Sequence, residues 1–218
     1  APFVDANGQT NGKTNGEVYK VKPGNSKYVD VNKDGVYNDA DQGIIGCGQP
    51  TFNWGWNNTF NYKNFDFSFF VVGFHGFDIY NATHQMGYNL IKSQQMAGVT
   101  PMRELLNRWT PTNTNTDIPG FVKGGTENKD FFSTRFVENG SFIKMKSITL
   151  GYTLPEATCR SLGINNLRVY ASVQNPFHIT KYSGLDPEAT MGSPLVQGVD
   201  WGAYPNSRNY LIGLNFSF

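Results

Sequence analysis

The chain has 218 residues, enough for one large all-β domain or for two ordinary domains. Its 18 basic and 17 acidic residues nearly balance, so neither a nucleic-acid-binding surface nor a polyanionic tail is indicated. Aromatic residues make up 15% of the chain and glycine is abundant, a profile typical of β-rich proteins. No apolar run approaches the roughly 18 to 20 residues of a membrane helix, which excludes helical spans but not a membrane barrel.

Residues 1–51 are predicted to form a loop region. The opening stretch, APFVDANGQTNGKTNGEVYK, resembles the middle of an exposed loop, and we expect the chain to be a C-terminal fragment. Further on, DVNKDGVYNDAD carries oxygen-bearing side chains at alternate positions and a glycine after the third, a pattern typical of calcium-binding loops. The predicted calcium ligands are Asp30, Asn32, Asp34, Val36 through its backbone carbonyl, Asn38 and Asp41.

The closing ligand position holds Asp41, where EF-hand loops carry a bidentate Glu. The shorter carboxylate reaches less easily into bidentate contact, and no flanking helices are indicated. The alternative is a metal-free loop in which the same side chains accept hydrogen bonds from their own backbone. We predict a structural Ca²⁺ as the cofactor, which would rigidify the loop, and we retain the metal-free loop as the alternative.

Five later stretches alternate between apolar and polar residues with a period of two, which predicts strands with one apolar and one polar face. These strands are predicted at about 52–62, 65–77, 142–154, 167–181 and 209–218. Lys63 and Asn64 predict a minimal hairpin turn, and Asn139-Gly140 predicts a second turn between two strand arms. Between the strands, MRELLNRW suggests a short helix.

The connections between these strands alternate in length: short at 63–64, long at 78–141, medium at 155–166 and long at 182–208. Outer-membrane barrels show this asymmetry, with short periplasmic turns and long extracellular loops. We therefore predict an all-β fold, made of antiparallel strands of a large transmembrane β-barrel whose apolar face meets the lipid bilayer. Counting crossings back from a periplasmic C-terminus places residues 1–51 and both long loops outside the cell.

Five strands cannot close a membrane barrel, and open sheet edges are not tolerated in lipid, so the barrel needs strands from elsewhere. The alternative is a secreted soluble β-sandwich that binds glycans through a calcium-ordered loop, because sandwich strands alternate as well. Aromatic residues at both ends of strands about 10 residues long favour the barrel.

Residue chemistry offers few candidate sites. Trp109, Trp201 and Tyr204 lie in the long loops, where an aromatic ring can stack on a sugar or contact a partner protein. No GxSxG, HExxH or P-loop motif is present, and enzymatic activity is not expected. Cys47 and Cys159 form no CxxC pair; a buried free thiol is expected for each, with one disulfide bridge as the alternative.

Several blocks of the sequence, in the same order, resemble the C-terminal part of SusC/RagA-type TonB-dependent transporters of Bacteroidetes outer membranes. These blocks are DVNKDGVYNDADQGIIG, PTFNWGWNNTFNYKNFDFSFFVVGFHGFDIYN, LLNRWTPTNTNTDIP, FVENGSFIKMKSITLGYTLP, LRVYASVQNPFHITKYSGLDPE and YLIGLNFSF. The resemblance covers roughly residues 28–218.

The resemblance implies a barrel of about 22 strands, whose remaining strands and plug domain precede this chain. It also implies import of oligosaccharides or peptides together with a SusD-like surface lipoprotein. Import would be driven through TonB, which contacts a region N-terminal to this chain. The terminal strand resembles the signal read by the barrel-assembly machinery, with Tyr210, Phe216 and Phe218 as its aromatic residues.

Overall fold

The computed structural model describes residues 10–14, 17–21, 23–26, 28–34, 39–88, 101–120, 133–191 and 196–218. The chain divides into two compact units. The first comprises Ala1–Ile45 and Ala82–Phe136, and the second comprises Gly46–Asn81 and Val137–Phe218. Residues 46–51, which the sequence analysis groups with the N-terminal loop region, belong to the second unit, and Cys47 N–H donates to Asp78 Oδ2 within it at 3.1 Å.

The described residues form mainly β-strands, together with two α-helices and four 3₁₀ turns. The strands are β1 (Thr10–Thr14), β2 (Glu17–Val21), β3 (Phe52–Tyr62), β4 (Phe65–His75), β5 (Asp78–Asn81), β6 (Val137–Asn139), β7 (Phe142–Thr153), β8 (Asn166–Gln174), β9 (His178–Thr180), β10 (Val199–Asp200) and β11 (Asn209–Ser217). The α-helices are α1 (Ala82–Tyr88) and α2 (Glu156–Ser161), and 3₁₀ turns lie at Asp39–Asp41, Arg103–Asn107, Thr134–Phe136 and Pro187–Met191.

The second unit carries the main sheet, an open antiparallel sheet with the strand order β11-β8-β7-β4-β3. We call its two ends the turn end and the loop end. At the turn end, Lys63 and Asn64 join β3 to β4, and α2 lies in the connection from β7 to β8. At the loop end the chain leaves for the long segments 76–141 and 181–208. A smaller three-stranded sheet, β10-β5-β6, belongs to the same unit.

Strand β7 contains a β-bulge that changes which of its residues face which side. On β4, Phe70 and Val72 lie on the same face, and their partners on β7 are Ser147 and Lys144. Because these partners are three residues apart, Lys146 is an extra residue between them, and the parity of β7 changes there. The bulge therefore places Lys144 on the polar face of the sheet.

The strand predicted at 167–181 is divided in the structure. β8 ends at Gln174, β9 begins at His178, and both pair with β7. At the break, Asn175 takes a left-handed φ of 49° and donates its backbone N–H to the Lys146 carbonyl at 2.9 Å. The break follows from the bulge, because an extra residue in one strand disrupts the ladder with its neighbour.

The hairpin predicted at Asn139-Gly140 is wrong. β6, before this dipeptide, pairs with β5 in the small sheet, whereas β7, after it, belongs to the main sheet. A type I′ hairpin turn needs positive φ at both central residues, and neither residue has one. Gly140 instead packs on Phe77: its N–H donates to the Phe77 carbonyl at 2.9 Å, and a Cβ would lie 2.4 Å from that ring.

The apolar face of the main sheet is exposed. Ile212, for example, is 85% exposed and Tyr62 is 70% exposed. A soluble β-sandwich would cover such a face with a second packed sheet, and among the described residues no sheet does so. A continuous apolar surface of this size is not typical of a soluble monomer. Its exposed members include Phe52, Trp56, Phe60, Tyr62, Phe65, Phe67, Leu150, Tyr210, Ile212, Leu214 and Phe216.

The buried core of the second unit lies at the loop end, on the polar-face side of β4 and β7. Val72 and Phe142 contribute from these strands, and Phe77, Ile79 and Tyr182 pack against them from the segments that leave the sheet. Phe77 and Phe142 meet edge to face with ring centroids 6.3 Å apart, a favourable aromatic arrangement. Apolar packing thus holds the small sheet against one end of the large one.

The first unit contains the β1–β2 hairpin, α1 and two 3₁₀ turns that contact α1. The 3₁₀ turn Arg103–Asn107 lies where MRELLNRW suggested a short helix. No helix in the described parts of the chain is long and apolar enough to cross a bilayer.

Candidate functional site

Two lysines of β7 form a compact ion cluster with two carboxylates at the loop end. Lys144 Nζ lies 2.8 Å from Asp186 Oδ2 and 2.7 Å from Glu188 Oε2, and Lys146 Nζ also pairs with Glu188. Asn206 closes the cluster, because its backbone N–H donates to Asp186 and its side-chain amide donates to Glu188. We call these five residues the loop-end cluster.

The charges of the loop-end cluster balance, and two of the four charged side chains are buried while Glu188 and Lys146 are partly exposed. The Lys144 side chain is 2% exposed and that of Asp186 is 3% exposed. Burial by itself raises the pKa of Asp186 and of Glu188. The hydrogen bonds and positive charge of the lysines outweigh burial, so the pKa of each carboxyl group lies below its ordinary value. Both carboxylates are therefore ionised at neutral pH.

Further polar contacts fasten the same loop. Tyr182 O–H donates to Asp200 Oδ2 at 2.5 Å, and burial together with this carboxylate raises the pKa of Tyr182 far above its ordinary value. The other Asp200 oxygen accepts from the N–H groups of Gly202 and Ala203. At the start of the loop, Ser183 donates its backbone N–H and its hydroxyl to the carboxylate of Glu138 on β6.

The turn end carries a different ion pair on the polar face. Arg168 of β8 reaches across Gly151 of β7 to Asp66 of β4, with two hydrogen bonds of 2.9 and 2.5 Å. A Cβ at Gly151 would lie 2.4 Å from the Asp66 carboxylate, so only glycine leaves room for this bridge. Arg168 also stacks over the Tyr170 ring, at 5.0 Å from its centroid. Both side chains of this pair are about one-quarter exposed.

The three aromatic residues predicted for substrate or partner contact fall in different surroundings. Trp201 is 58% exposed and Tyr204 is 89% exposed, both in the loop that the cluster fastens. Trp109 belongs to the first unit, where its ring packs on Gly24: a Cβ at that glycine would lie 2.3 Å from the ring. The structure thus brings Trp201 and Tyr204 into one loop and gives Trp109 a packing role within its own unit.

The predicted calcium loop is described in part, since Val36 and Asn38 lie outside the described residues. Asp34 N–H donates to Asp30 Oδ1 at 3.2 Å and to Asn32 Oδ1 at 3.0 Å, and Val31 N–H donates to Asp41 Oδ1 at 2.9 Å. Among the described residues, no group of three or more histidine, cysteine or acidic side chains is arranged to hold a metal. The Ca²⁺ site therefore remains a prediction.

The remaining predicted residues are easily placed. Tyr210 and Phe216 point to the exposed apolar face of β11, and Phe218 follows the strand at 89% exposure. Both cysteines are free thiols. The expectation of burial holds for Cys159, which is 1% exposed, and is wrong for Cys47, which is exposed because it lies in the extended segment before β3.

The loop-end cluster was missed by sequence reasoning, although a signal for it exists. Lys144 and Lys146 stand at the positions where the alternation of this strand, which continues with Ile148 and Leu150, calls for apolar residues, and a buried lysine needs a carboxylate partner. Asp186 and Glu188 repeat the same spacing of two residues some 40 positions later. The β-bulge that turns the lysines toward the loop is not visible in the alternation of the sequence.

Comparisons with known proteins agree with the sheet and its faces. No protein-family profile matches the chain. It is 36% identical to TonB-dependent receptor P3 of Formosa agariphila, over 90% of this chain and 19% of that protein. It is 32% identical to TonB-dependent receptor SusC of Bacteroides thetaiotaomicron, over 90% of this chain and 18% of that protein. The chain belongs to the SusC/RagA family of TonB-dependent receptors.

Solved structures of this family share the fold. The RagAB peptide importer in its closed-closed state matches 99% of this chain and 20% of its own, with a TM-score of 0.70 and 27% identity. The RagAB peptide transporter matches 78% of this chain with a TM-score of 0.67 and 29% identity. TonB-dependent receptors are outer-membrane β-barrel proteins, and the open sheet is part of such a barrel. The SusC/RagA-type chain described here spans about one-fifth of the length of the relatives it matches.

Proposed function

We propose that the chain forms wall strands and surface loops of a TonB-dependent importer of the SusC type. In this proposal the importer takes up oligosaccharides or peptides together with a SusD-like surface lipoprotein. TonB supplies the energy through a region outside this chain, and further strands and a plug domain complete the barrel. The chain itself contributes no catalysis.

The observation that carries this proposal is the two-faced open sheet. Its apolar face exposes aromatic and aliphatic side chains, as a lipid-facing surface requires, and its polar face carries Asp66, Arg168 and Lys144. An open sheet whose edge strands are β3 and β11 is stable in a membrane only if other strands pair with these edges. Membership in a family of outer-membrane receptors supports the same conclusion.

The orientation of the sheet is also part of the proposal. The short connection at Lys63 and Asn64 marks the turn end as periplasmic, and the long loops mark the loop end as extracellular. The C-terminus is then periplasmic. Epitope tags inserted in the full-length protein test this orientation. An antibody applied to intact cells should bind a tag next to Gly202 and should not bind a tag between Lys63 and Asn64. The reverse labelling would contradict the proposed orientation.

For the substrate we propose two candidate classes, oligosaccharides and peptides. One relative is the TonB-dependent receptor SusC. The matched solved structures are a peptide transporter and a peptide importer. Cells with and without the full-length gene should differ in uptake of one substrate class, labelled oligosaccharides or labelled peptides. Loss of that uptake on removal of TonB is expected. Uptake of both classes that is independent of the gene would contradict import as the function.

A further inference from the structure

We propose that the described residues of the loop 182–208 are held fixed against the barrel wall and do not act as a moving lid, and that Lys144 is the residue that positions them. The loop contains the 3₁₀ turn Pro187–Met191, strand β10 and the exposed rings of Trp201 and Tyr204. Residues 192–195 are outside the described part of the chain and play no part in this inference.

The first reason is the position of Lys144 in a rigid element. β7 pairs with β4 on one side and with β8 and β9 on the other, so the backbone of Lys144 is held by neighbours on both sides. The β-bulge at Lys146 turns the Lys144 side chain to the polar face. A cation is therefore fixed in place before the loop contributes anything.

The second reason is that the cluster ties both halves of the loop to this one cation. Asp186 and Glu188 come from the first half, and Asn206 comes from the second half. Asp186 Oδ2 accepts from Lys144 Nζ at 2.8 Å and from Asn206 N–H at 3.2 Å, so one carboxylate oxygen joins the strand to both ends of the loop. The two halves cannot separate without breaking charged hydrogen bonds.

The third reason is burial. Lys144 is 2% exposed and Asp186 is 3% exposed, so moving the loop away would break hydrogen bonds between charged groups that are shielded from water. A lid that opens and closes is drawn from weakly held, well-solvated segments, where few buried contacts must be broken. The loop 182–208 has the opposite character, since its core contacts Tyr182 and Asp200 are buried as well.

Hydrogen exchange of the full-length receptor in detergent tests this inference directly. In the native protein we expect peptides covering 183–191 and 196–206 to be protected as well as the strands. Lys144→Met should speed exchange in these peptides at least about tenfold, while peptides from β3 and β4 stay protected. Arg168→Met is the matched control, because it breaks an ion pair on the same face at the other end of the sheet, and it should leave the loop unchanged.

Three results would overturn the proposal. They are rapid exchange of the loop in the native protein, an unchanged loop after Lys144→Met, and equal loosening by Arg168→Met. If Lys144→Met fails to assemble, Glu188→Gln replaces it, because Glu188 is 20% exposed and its loss leaves Asp186 to pair with the lysine. This variant should loosen the loop less than Lys144→Met would, and no loosening counts against the proposal.

A second experiment measures import with the loop crosslinked to β7, and it rests on the proposed import activity. Lys146→Cys and Glu188→Cys are combined with Cys47→Ser, which removes the exposed native thiol, and the new pair is joined by a short, cleavable bifunctional thiol reagent. We expect import to be unchanged by the crosslink. Import that stops on crosslinking and returns on cleavage would show that the loop must move. If the uncrosslinked native protein does not import at all, the proposed function fails, and hydrogen exchange alone decides whether the loop is fixed.

Discussion

Two segments of this chain concentrate carboxylates, and they are satisfied in different ways. In the loop 182–208, Asp186 and Glu188 meet lysines that project from a strand of the main sheet. In the acidic loop 30–41, Asp30 and Asp41 accept hydrogen bonds from the backbone N–H groups of Asp34 and Val31. The first loop takes its cations from the protein, whereas for the second we predict a Ca²⁺ ion.

The difference teaches how strongly each loop depends on its charges. Breaking a buried ion pair by removing one partner costs about 3–5 kcal/mol, because the other charge stays buried and unpaired. Hydrogen bonds from backbone N–H groups to carboxylates, such as those that the buried Asp30 and Asp41 accept, contribute about 1.5–3 kcal/mol each. The loop 182–208 should therefore fail when its charges change, and the acidic loop should respond mainly to the concentration of a cation.

The largest effect is expected from the double variant Asp186→Asn, Glu188→Gln. It leaves Lys144 buried without a carboxylate partner, and we expect the loop to open more readily by about 3–5 kcal/mol. Limited proteolysis of the full-length receptor at neutral pH measures this as new cleavage between residues 183 and 206. Asp66→Asn is the control, since it removes one charge from a pair that is about one-quarter exposed. Cleavage of the double variant at the native rate would contradict the dependence on these carboxylates.

Acidification should open the same loop without any mutation. The pKa values of Asp186 and Glu188 in the folded loop lie below their ordinary values of 3.8 and 4.5, so the opened loop binds more protons in this range. The stabilisation is complete above these ordinary values and is lost as the pH falls below them. Proteolysis with an acid-active protease from pH 6 to pH 3 should show a cleavage rate between residues 183 and 206 that starts to rise as the pH falls below about 4.5, the ordinary pKa of Glu188. Lys144→Met should remove most of this pH dependence, and a native loop that is cleaved equally fast at pH 6 and at pH 3 would contradict it.

A smaller effect is expected from Tyr182→Phe. The variant keeps the ring in the core and removes the hydroxyl that donates to Asp200 at 2.5 Å. Hydrogen bonds to charged groups contribute about 1.5–3 kcal/mol, and Asp200 keeps its bonds to Gly202 and Ala203. Hydrogen exchange of peptides covering 196–206 should rise by less than in the double variant. Tyr204→Phe, at an 89% exposed position, should change nothing, and an equal effect of both variants would argue against the buried contact.

The fold was largely predictable from the sequence because apolar and polar residues alternate along strands that have one apolar and one polar face. Phe65, Phe67 and Phe69 alternate with polar residues, and β4 lies where this alternation predicts it. The alternation does not reveal a β-bulge, so the parity change at Lys146 was missed. Asn139-Gly140 suggested a hairpin because its local chemistry suits one, and the packing of Gly140 on Phe77 overrides that preference.

The sites were less predictable, for a physical reason. The loop-end cluster joins residues about 40 positions apart, and the matching spacing within each pair does not by itself say that the two pairs meet. Trp201 and Tyr204 were found because exposed aromatic residues in loops stand out in any sequence. Their role in binding remains a prediction, as does the calcium loop.

The smallest effect is expected at the acidic loop, where the prediction to be tested is the binding of Ca²⁺. Calorimetric titration of the full-length receptor with Ca²⁺ should show binding, and Asp34→Ala should weaken it about tenfold or more because a ligand is lost. At ten times its dissociation constant, the ion would stabilise the loop by only about 1.4 kcal/mol. Asp41→Glu should strengthen binding, since Glu reaches bidentate contact more easily.

The control for the acidic loop is Glu156→Ala, which removes an exposed carboxylate from α2 and should leave calcium binding unchanged. Absence of binding heat in the native protein, or equal binding after Asp34→Ala, would rule out the ion and leave the metal-free loop. The hydrogen bonds from Asp34 N–H to Asp30 and Asn32 and from Val31 N–H to Asp41 would then support this segment without a metal. The contrast between the two loops would then be between carboxylates that need a cation and carboxylates that need only backbone N–H groups.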